Sequence, residues 1–333
     1  METNLIYGVD MKKLYICHTV YHLYITMLKS YGHEGVNDVF LVDTISNVDK
    51  LSKQVAATGI FNSVFTLKRE EYFGKKFHEY LKNHINCKLR FHKIKDKLDF
   101  LYLYSEIYIF NDYTEMGAFL NRAKISYHLL EDGLDVFKQF DVYRDIGKAY
   151  HLKKFLYAVF KIPYSVGMTA LCLDIEVNSN KNLKSNMKRP IIVKERERME
   201  ENIDESYRNK IFDAFGVRQL ELLKKRVLIL TQVLKEILIV KNDVEQLRFY
   251  EQVISQYAQH YAIYLKPHPR DAIDYTSFEK KFNAVILEKE IPLEVYAYLP
   301  NMRFDYVITY SSTAANITNI GDKIIRLDKR LIN

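Results

Sequence analysis

The sequence contains no tryptophan, although 26 Tyr and 19 Phe make its packing rich in aromatic side chains, and it has only three cysteines, which exclude some classes of protein. Cys17, Cys87 and Cys172 are odd in number and lack metal-ligand spacing. Neither a disulfide framework nor a cysteine zinc site is therefore expected, and reduced thiols indicate a cytoplasmic location. No stretch reaches 18 apolar residues, so no transmembrane helix is predicted. Lys12-Lys13 precede only a short apolar run, and no signal peptide is predicted.

Several ligand motifs are missing as well. The chain has no glycine-rich phosphate loop, no Asp-x-Asp metal motif and no recognisable nucleic-acid-binding motif. The net charge of +7, from 49 Lys+Arg against 42 Asp+Glu, is mild for 333 residues. This charge favours anionic ligands or an anionic membrane surface without requiring nucleic acid. We expect no metal, no cofactor and no nucleic-acid partner.

What the sequence does contain is a repeated alternation of short apolar strands and helical segments. This alternation is typical of βαβ units and parallel sheets, and the length predicts two domains. We predict an α/β protein with two Rossmann-like domains facing a cleft. The predicted divisions are an N-terminal α/β domain at 1–180, a linker with a connecting helix at 181–220 and a C-terminal α/β domain at 221–333. A polar stretch interrupted by Pro190 marks the linker.

Polar residues follow the predicted strands of the first domain. Ligands bind at the carboxyl ends of parallel strands, so His22, Asp112 and Asp132 are predicted at this domain's ligand edge. Glu131-Asp132-Gly133 is either a simple turn, because Asp-Gly is a common turn dipeptide, or it supplies a general base. The strands are predicted at 13–18, 38–42, 63–67, 106–110 and 125–130.

The most informative stretch runs from residue 261 to residue 316 in the second domain. Three predicted strands, at 261–265, 284–288 and 306–309, alternate there with helices. His268 follows the first of them between two prolines, which stiffen its loop. Because parallel strands share one carboxyl edge, residues after the first and third strands are predicted to face the same crevice.

Three hydroxyl residues, Ser311, Ser312 and Thr313, follow the third strand of this stretch. They precede a predicted helix at 314–320, where they act either as N-caps or as an anion site. A histidine and a hydroxyl-lined helix start would together suit a departing phosphate. Earlier in the domain, Asn242-Asp243 precedes a predicted helix at 244–257. Asp243 is either its N-cap or a carboxylate directed at the interdomain cleft.

Two segments are rich in basic residues. Residues 82–97 carry six cations, and residues 151–164 interleave lysines with apolar side chains. Each is either a solvated helix packed on its own domain or, for the second segment especially, an amphipathic helix at a membrane surface. If either segment binds a partner, a lipid-linked acceptor in a membrane is favoured over nucleic acid.

Three motifs in chain order resemble those of bacterial sialyltransferases. They are an acidic pair with glycine (Glu131-Asp132-Gly133), a His-Pro block (Lys266-Pro267-His268-Pro269-Arg270) and a Ser/Thr pair (Ser311-Ser312-Thr313). The chain is most similar to glycosyltransferase family 52, because it also contains Thr19-Val20-Tyr21-His22 and Thr231-Gln232. That family includes lipooligosaccharide and capsule sialyltransferases of bacteria. The resemblance spans residues 13–330 and implies a GT-B-type architecture.

The resemblance implies an inverting, metal-independent transferase that moves sialic acid from CMP-sialic acid to a terminal galactose of a surface glycan. In it His268 would protonate or stabilise the phosphate of the departing CMP, and Ser311 and Ser312, with Thr313 beside them, would hold that phosphate. Glu294 would grip the ribose of the nucleotide. The remaining implied contacts are Lys266, Pro267, Arg270 and Pro292 on the nucleotide side, and Thr19, His22, Asp112, Glu131 and Gly133 on the acceptor or sugar side.

Two carboxylates compete for the role of catalytic base. The acidic-glycine motif of related sialyltransferases implies Asp132, and a second-domain carboxylate before the His-Pro block, implicated in family 52, implies Asp243. Val233 stands where the family tends to have proline, and no acidic-glycine pair follows it, so Asp132 ranks first.

Other functions stay open at this point. The chain could be another nucleotide-sugar hexosyltransferase of the same family or a glycerophosphotransferase that uses CDP-glycerol. A non-catalytic protein that binds nucleotides or glycans on the same fold is the alternative from a different class. The partners that the resemblance implies are a nucleotide-sugar donor and a glycan acceptor. A lipid-linked acceptor, peripheral contact with the inner face of the plasma membrane and a homodimer are compatible with it.

Overall fold

The chain divides into two compact units, Met1–Ala214 and Phe215–Asn333. The computed structural model describes residues 11–73, 80–112, 114–133, 166–181, 183, 189–217, 225–317 and 320–327, with only the backbone at 80–86, 313 and 316. Each unit is built on its own parallel sheet with intervening helices. The prediction of an α/β protein with two parallel-sheet units is therefore confirmed.

The first unit contains a seven-stranded sheet in the order β3-β2-β1-β4-β5-β6-β7. Neighbouring strands are parallel throughout. The order reverses between β1 and β4, and open sheets bind ligands outside the carboxyl ends at such a switch point. The strands are β1 Lys12–Cys17, β2 Val36–Val42, β3 Ser63–Leu67, β4 Glu106–Ile109, β5 Tyr127–Leu130, β6 Cys172–Val177 and β7 Ile191–Val193.

The helices of the first unit cover a sheet whose central strands are buried. Five of the six residues of β1 and six of the seven of β2 are inaccessible, as expected where helices cover both faces of a parallel sheet. One apolar core joins these strands to Ile94, Leu98 and Phe119 of the helices. The helices are α1 Val20–Ser30, α2 Val48–Ala57, α3 Arg69–Phe73, α4 Tyr80–Leu98, α5 Glu115–Ala123, α6 Arg196–Asn202 and α7 Glu205–Phe215, with a 3₁₀ helix at Asp99–Leu103.

The first of the two basic segments forms most of α4. Cys87, Ile94 and Leu98 are buried on one side of this helix, whereas Lys88 and Arg90 are exposed. The described part of α4 is thus a helix packed on its own unit with a solvated basic side. The other basic segment, 151–164, lies outside the described residues. Among the residues that the structure describes, no helix combines the length and the apolar character needed to cross a membrane.

The second unit repeats the same architecture with a five-stranded parallel sheet. Its order is β10-β9-β8-β11-β12, which reverses between β8 and β11. Its core joins Val227, Ile229 and Ile263 of the strands to Phe249 and Val253 of a helix. The elements are β8 Arg226–Leu230, α8 Asp243–Tyr257, β9 Ala262–Lys266, α9 Thr276–Phe282, β10 Val285–Ile286, α10 Leu293–Tyr296, β11 Phe304–Thr309, a 3₁₀ helix at Thr313–Asn316, and β12 Gly321–Arg326.

The structure corrects the predicted divisions between the domains. The segment 181–220, predicted as a linker with one helix, contains β7, which pairs with β6 as the seventh strand of the first sheet. It also contains α6 and α7, so the first unit extends to Ala214. The strand was missed because β7 is three residues long and partly exposed, and its polar neighbours dominate the local composition.

The helix predicted at 314–320 is also corrected. A 3₁₀ helix of four residues, Thr313–Asn316, occupies this place. Strands β6 and β12 were not predicted at all. Both carry charged residues between apolar ones, with the sequences CLDIEV and GDKIIR, because they lie away from the fully buried centre of their sheets.

Gly117 fixes the backbone at the switch point of the first sheet, and its replacement by alanine is expected to destabilise the first unit strongly. A Cβ at this position in α5 would lie 2.2 Å from the carbonyl oxygen of Asp112 and 2.5 Å from its Cα. Backbone atoms cannot move aside cheaply, so Gly117→Ala should cost about 3–5 kcal/mol of unfolding free energy, measured by urea denaturation. Gly59→Ala is the control, because its Cβ would meet nothing within 4 Å although φ is +64°. An equal loss in the two variants would contradict the steric explanation.

Candidate active site

Polar residues surround the switch point of the second sheet. Thr231 follows β8, His268 lies two residues beyond β9, and Ser311 lies two residues beyond β11. Because β8 lies between β9 and β11, the ends of the outer two strands are about 10 Å apart, or two strand spacings. The structure thus places His268 and Ser311 on one edge of one sheet, with Thr231 between them.

His268 is held at its backbone and at its ring. Its N–H donates to Oγ1 of Thr231 at 2.9 Å, and its Nδ1 accepts from the N–H of Arg270 at 3.1 Å. An Nδ1 that accepts leaves the ring proton on Nε2, so the neutral imidazole keeps one N–H to offer a ligand. Burial, followed by the Arg270 guanidinium, lowers the pKa of His268 below its usual value. A bound anion would oppose this shift, because negative charge favours the imidazolium.

The hydroxyl residues after β11 are arranged by a second threonine. Oγ1 of the buried Thr309 accepts from the N–H of Ser312 at 3.0 Å, and Oγ of Ser312 accepts from the N–H of Ala314 at 3.3 Å. Ser312 therefore caps the 3₁₀ helix, which Thr313 begins, while Ser311 is exposed. One 3₁₀ turn provides a weaker dipole than an α-helix, so any anion held here would depend mainly on hydroxyl and amide donors.

Lys266 ends β9 and is only 6% exposed. Burial lowers its pKa to about 7, and the carboxylates of Glu290 and Glu294 oppose that shift. Glu294 lies half-buried in the first turn of α10, which Pro292 precedes as N-cap. The predicted nucleotide-side residues therefore include a buried amine that interacts electrostatically with Glu294. The same set contains the buried Pro267 and the exposed Arg270, which pairs with Glu236 at 3.1 Å.

In the first unit, the structure joins His22 to Asp132. Nε2 of His22 is hydrogen-bonded to Oδ1 of Asp132, and Nδ1 of the same ring accepts from the N–H of His18 at 3.1 Å. With Nδ1 accepting, Nε2–H must be the donor to the carboxylate. His22 is fully buried and stacked on Phe110 at 4.0 Å between ring centroids, whereas the Asp132 side chain is 20% exposed. Asp132 is therefore the accessible member of the pair.

The other predicted residues of this edge form its framework. Asp112 is 2% exposed, and its Oδ2 accepts from Tyr127 Oη at 2.9 Å and from the N–H of Gly167 at 2.8 Å. Burial raises the pKa of Asp112 to about 6. These contacts place Asp112 inside the unit, so we assign it a structural role rather than contact with an acceptor.

Glu131 and Gly133, which flank Asp132, help to set the backbone conformation at this edge of the sheet. Oε2 of Glu131 accepts from the N–H of Asn178 at 2.7 Å, which fixes the end of β6. Gly133 has φ +106°, a conformation that favours glycine. Thr19 is exposed and caps α1 through the N–H of His22, at 3.1 Å. The flanking residues thus fix the local backbone, and Asp132 between them stays partly accessible.

The prediction that Asp243 caps α8 is wrong. Asn242 is the cap, since its side chain accepts from the N–H of Glu245 at 2.9 Å. Asp243 is the first residue of the helix, largely exposed, and pairs with Lys235 at 3.1 Å. Among the described residues, its pairing with Lys235 does not connect it to the His268 loop, where Thr231 accepts from the His268 N–H. In the described ranges, no group of three His, Cys, Asp or Glu side chains is placed to hold a metal ion.

Two further residues of these edges were missed by the sequence analysis. His18 follows β1 directly and is 7% exposed, and its Nε2 is buried without a hydrogen-bond partner among the residues that the structure describes. Asp271 follows Arg270 and is 1% exposed among polar side chains. His22 was selected because it lies just beyond the carboxyl end of a predicted strand, and the same rule could have selected His18, the last residue of the strand predicted at 13–18. No local signal indicates that Asp271 is buried.

His18 should make the first unit sensitive to acid. Burial, with a smaller contribution from His22, lowers the pKa of His18 to about 3. The unfolded chain takes up this proton below its ordinary pKa near 6.5 and the folded chain does not, so stability falls as the pH drops from about 6.5 towards 3. Between pH 7 and pH 5 the wild type should lose about 2 kcal/mol more unfolding free energy than His18→Gln.

The measurement is urea denaturation followed by circular dichroism at both pH values. His260→Gln serves as the control, because His260 is exposed and its removal should leave the wild-type pH dependence intact. An unchanged pH dependence in His18→Gln would refute the assignment.

The two parallel α/β units, each with polar side chains at the carboxyl edge of its sheet, have the architecture of the GT-B class, which glycosyltransferases and related nucleotide-sugar enzymes share. Within that class, a family model described as Glycosyltransferase family 52 matches residues 33–329. The chain belongs to this family. Its partners are accordingly a nucleotide-sugar donor and a glycan acceptor.

Solved structures with the same fold include transferases and an epimerase. The α/β-galactoside α-2,3-sialyltransferase of Photobacterium phosphoreum matches with a TM-score of 0.55 and 12% identity, over 97% of this chain and 94% of that one. A putative UDP-N-acetylglucosamine 2-epimerase of Listeria monocytogenes matches with a TM-score of 0.50 and 10% identity, over 96% and 81%. At such identities the similarity establishes the fold. A comparison with curated protein sequences gave no significant match.

Proposed function

We propose that this glycosyltransferase is a sialyltransferase that moves sialic acid from CMP-sialic acid to a terminal galactose of a bacterial surface glycan. Family membership supports the transfer of a sugar. The fold shared with an α/β-galactoside α-2,3-sialyltransferase favours sialic acid as the sugar and galactose as the acceptor. The observation that supports the proposal most is the placement of His268, Ser311 and Ser312 at one sheet edge around its switch point.

These three side chains suit a leaving group that carries one phosphate. When the bond between the anomeric carbon and the phosphate oxygen breaks, its electron pair stays on that oxygen, and CMP leaves with additional negative charge. Nε2–H of His268 and the hydroxyl groups of Ser311 and Ser312 would donate to the phosphate oxygens. Preorganised donors of this kind each contribute about 2.7–4 kcal/mol to transition-state stabilisation. Lys266, with a pKa of about 7, and Glu294 would bind the nucleotide beside them.

The acceptor requires a base, and Asp132 is the candidate in the first unit. The acceptor hydroxyl attacks the anomeric carbon from the face opposite to CMP, and its proton passes to the Asp132 carboxylate. A single displacement of this type inverts the anomeric configuration. His22 does not compete for the proton, because its Nε2 already carries one and donates it to Asp132. Nothing in this scheme requires a metal ion, so the proposed reaction is metal-independent.

The proposal is tested by offering three donors in parallel. CMP-sialic acid, CDP-glycerol and UDP-glucose are each incubated with the full chain and a β-galactoside, with and without EDTA, and the products are identified by mass spectrometry and NMR. We expect a sialylated galactoside with inverted anomeric configuration in both conditions. If only UDP-glucose or only CDP-glycerol supports transfer, CMP-sialic acid is not the donor, and this part of the proposal is wrong. Loss of activity in EDTA that is restored by a divalent metal would refute metal independence.

A lipid-linked acceptor, peripheral contact with the cytoplasmic face of an anionic membrane and a homodimer complete the proposal. The net charge of +7 and the basic segments support the contact with an anionic membrane, and the homodimer is carried over from the family resemblance. Co-sedimentation with vesicles containing anionic lipid, against neutral vesicles, tests the first two features together. Light scattering coupled to gel filtration tests the dimer, and a monomer at working concentrations would remove it.

A further inference from the structure

A buried carboxylate lies behind the His268 loop and is bonded on both of its oxygens. Oδ2 of Asp271 accepts from Oγ1 of Thr231 at 3.0 Å, from Nε2 of Gln246 at 3.1 Å and from Oη of Tyr275 at 2.8 Å. Oδ1 accepts from the N–H of Ile273 at 3.1 Å. Asp271, Thr231 and Gln246 are each 1% exposed. The network joins β8, α8 and the segment between β9 and α9.

Asp271 determines how Thr231 can bind His268. A carboxylate only accepts hydrogen bonds, so the single hydroxyl hydrogen of Thr231 must point to Asp271. The oxygen of Thr231 is then available to accept the His268 N–H, which lies 2.9 Å away. The N–H of Asp271 also donates to the carbonyl oxygen of His268 at 2.8 Å. Both backbone polar groups of His268 are thus bonded to Asp271, one of them directly and the other through Thr231.

Such a network is a costly way to gain stability. Removing a carboxylate from water carries a desolvation penalty, and well-packed apolar side chains commonly stabilise a core as well or better. Four hydrogen bonds to one buried carboxylate do, however, fix the orientation of every donor, because an unsatisfied buried group would be expensive. The arrangement therefore suits accurate placement of a loop.

We propose that Asp271 is a positioning residue that acts through Thr231 to hold the His268 imidazole in its working place. The inference rests on the proposed function, in which His268 contacts the departing phosphate. Misplacement of a catalytic group by about 1 Å can cost about 10²-fold in rate. Loss of the Asp271–Thr231 bond should consequently lower kcat much more than it changes the KM for the donor.

The test uses the full chain with four substitutions. Thr231→Val removes the hydroxyl group that links Asp271 to His268. Asp271→Asn replaces one of the two accepting oxygens with an NH2 donor, so the four hydrogen bonds cannot all be kept. Thr231→Ser preserves the hydroxyl group, and Asp305→Asn is a control. Asp305 likewise accepts a hydrogen bond from β8, because its carboxylate accepts from the N–H of Arg226 at 2.7 Å. This bond lies at the amino edge of the sheet, away from His268. We expect Thr231→Val and Asp271→Asn to lower kcat by about 10²-fold. Thr231→Ser and Asp305→Asn should stay within about threefold of wild type.

An NMR measurement makes the test independent of turnover. Thr231→Val and Asp271→Asn should shift the ring ¹⁵N resonances of His268 and alter its titration, whereas Asp305→Asn should not. Thermal melting of each variant identifies loss of folding. If Asp271→Asn does not fold, the comparison of Thr231→Val with Thr231→Ser tests the positioning role. Wild-type kcat and unchanged His268 resonances in Thr231→Val would overturn the proposal. If His268→Ala keeps full turnover, the proposed function fails instead, and the resonances alone decide the positioning role.

Discussion

Replacing His268 with alanine is expected to lower the transfer rate by about 10²–10³-fold, the range for removal of one preorganised hydrogen-bond donor to developing negative charge. The ring offers Nε2–H because its Nδ1 already accepts from the backbone of Arg270. Alanine removes this donor, so the phosphate of the departing CMP loses the hydrogen bond from the imidazole. The loop should remain in place, since the N–H of residue 268 can still donate to Thr231. The measurement is initial-rate kinetics with CMP-sialic acid and a galactoside.

His260→Ala is the matched control for this substitution. His260 belongs to the same unit, lies beyond the end of α8 and is exposed, so its removal should leave the rate within about threefold of wild type. His268→Asn adds a second comparison, because its amide keeps an N–H donor for the phosphate but lacks the imidazole ring. Near-normal turnover in His268→Ala would remove this residue from the mechanism.

Asp132→Asn is expected to lower the transfer rate by about 10²–10⁴-fold while donor affinity is retained. The amide oxygen of asparagine can still accept from Nε2–H of His22, so the contact that arranges this edge survives. The amide cannot take the acceptor proton, and the loss should therefore appear in kcat. Donor affinity is measured by calorimetry with CMP, and the rate by the same galactoside assay.

The chain provides a matched control in a second histidine–carboxylate pair. Asp174 accepts from Nδ1 of His128 at 2.8 Å in the same sheet, but on strands β5 and β6 rather than beyond their carboxyl ends. Asp174→Asn should leave transfer within about threefold of wild type. Equal losses in Asp132→Asn and Asp174→Asn would indicate a general structural effect. A severe loss in Asp243→Asn together with an active Asp132→Asn would move the base to the second unit.

The positions of the strands followed closely from local pattern. The strand after residue 62 has the predicted bounds Ser63–Leu67, and most of the others differ by one or two residues. Buried parallel strands are continuous apolar runs, and polar turn residues bound them, so their periodicity is visible in the sequence. The missed strands are β6 and β12, whose partial exposure permits charged residues, and β7, which has only three residues.

The partners of the candidate site residues were not predictable in this way. His22 meets Asp132 across 110 positions of sequence, and Thr231 meets the His268 backbone across 37. Each pair forms because two particular strands end near one another at a sheet edge. Asp112 and Asp132 both follow strands, yet one is buried and the other accessible, and their sequence contexts do not distinguish them.

The sequence by itself determined the α/β class, the run of strands and the stiff His268 loop, because apolar periodicity and proline geometry act over a few neighbouring residues. The tertiary structure alone decided that Asn242 rather than Asp243 caps α8, that Asp132 is the accessible carboxylate, and that Asp271 lies buried behind Thr231. These outcomes depend on which strands become neighbours and on which side chains lose water. Both are settled by packing between residues far apart in the chain.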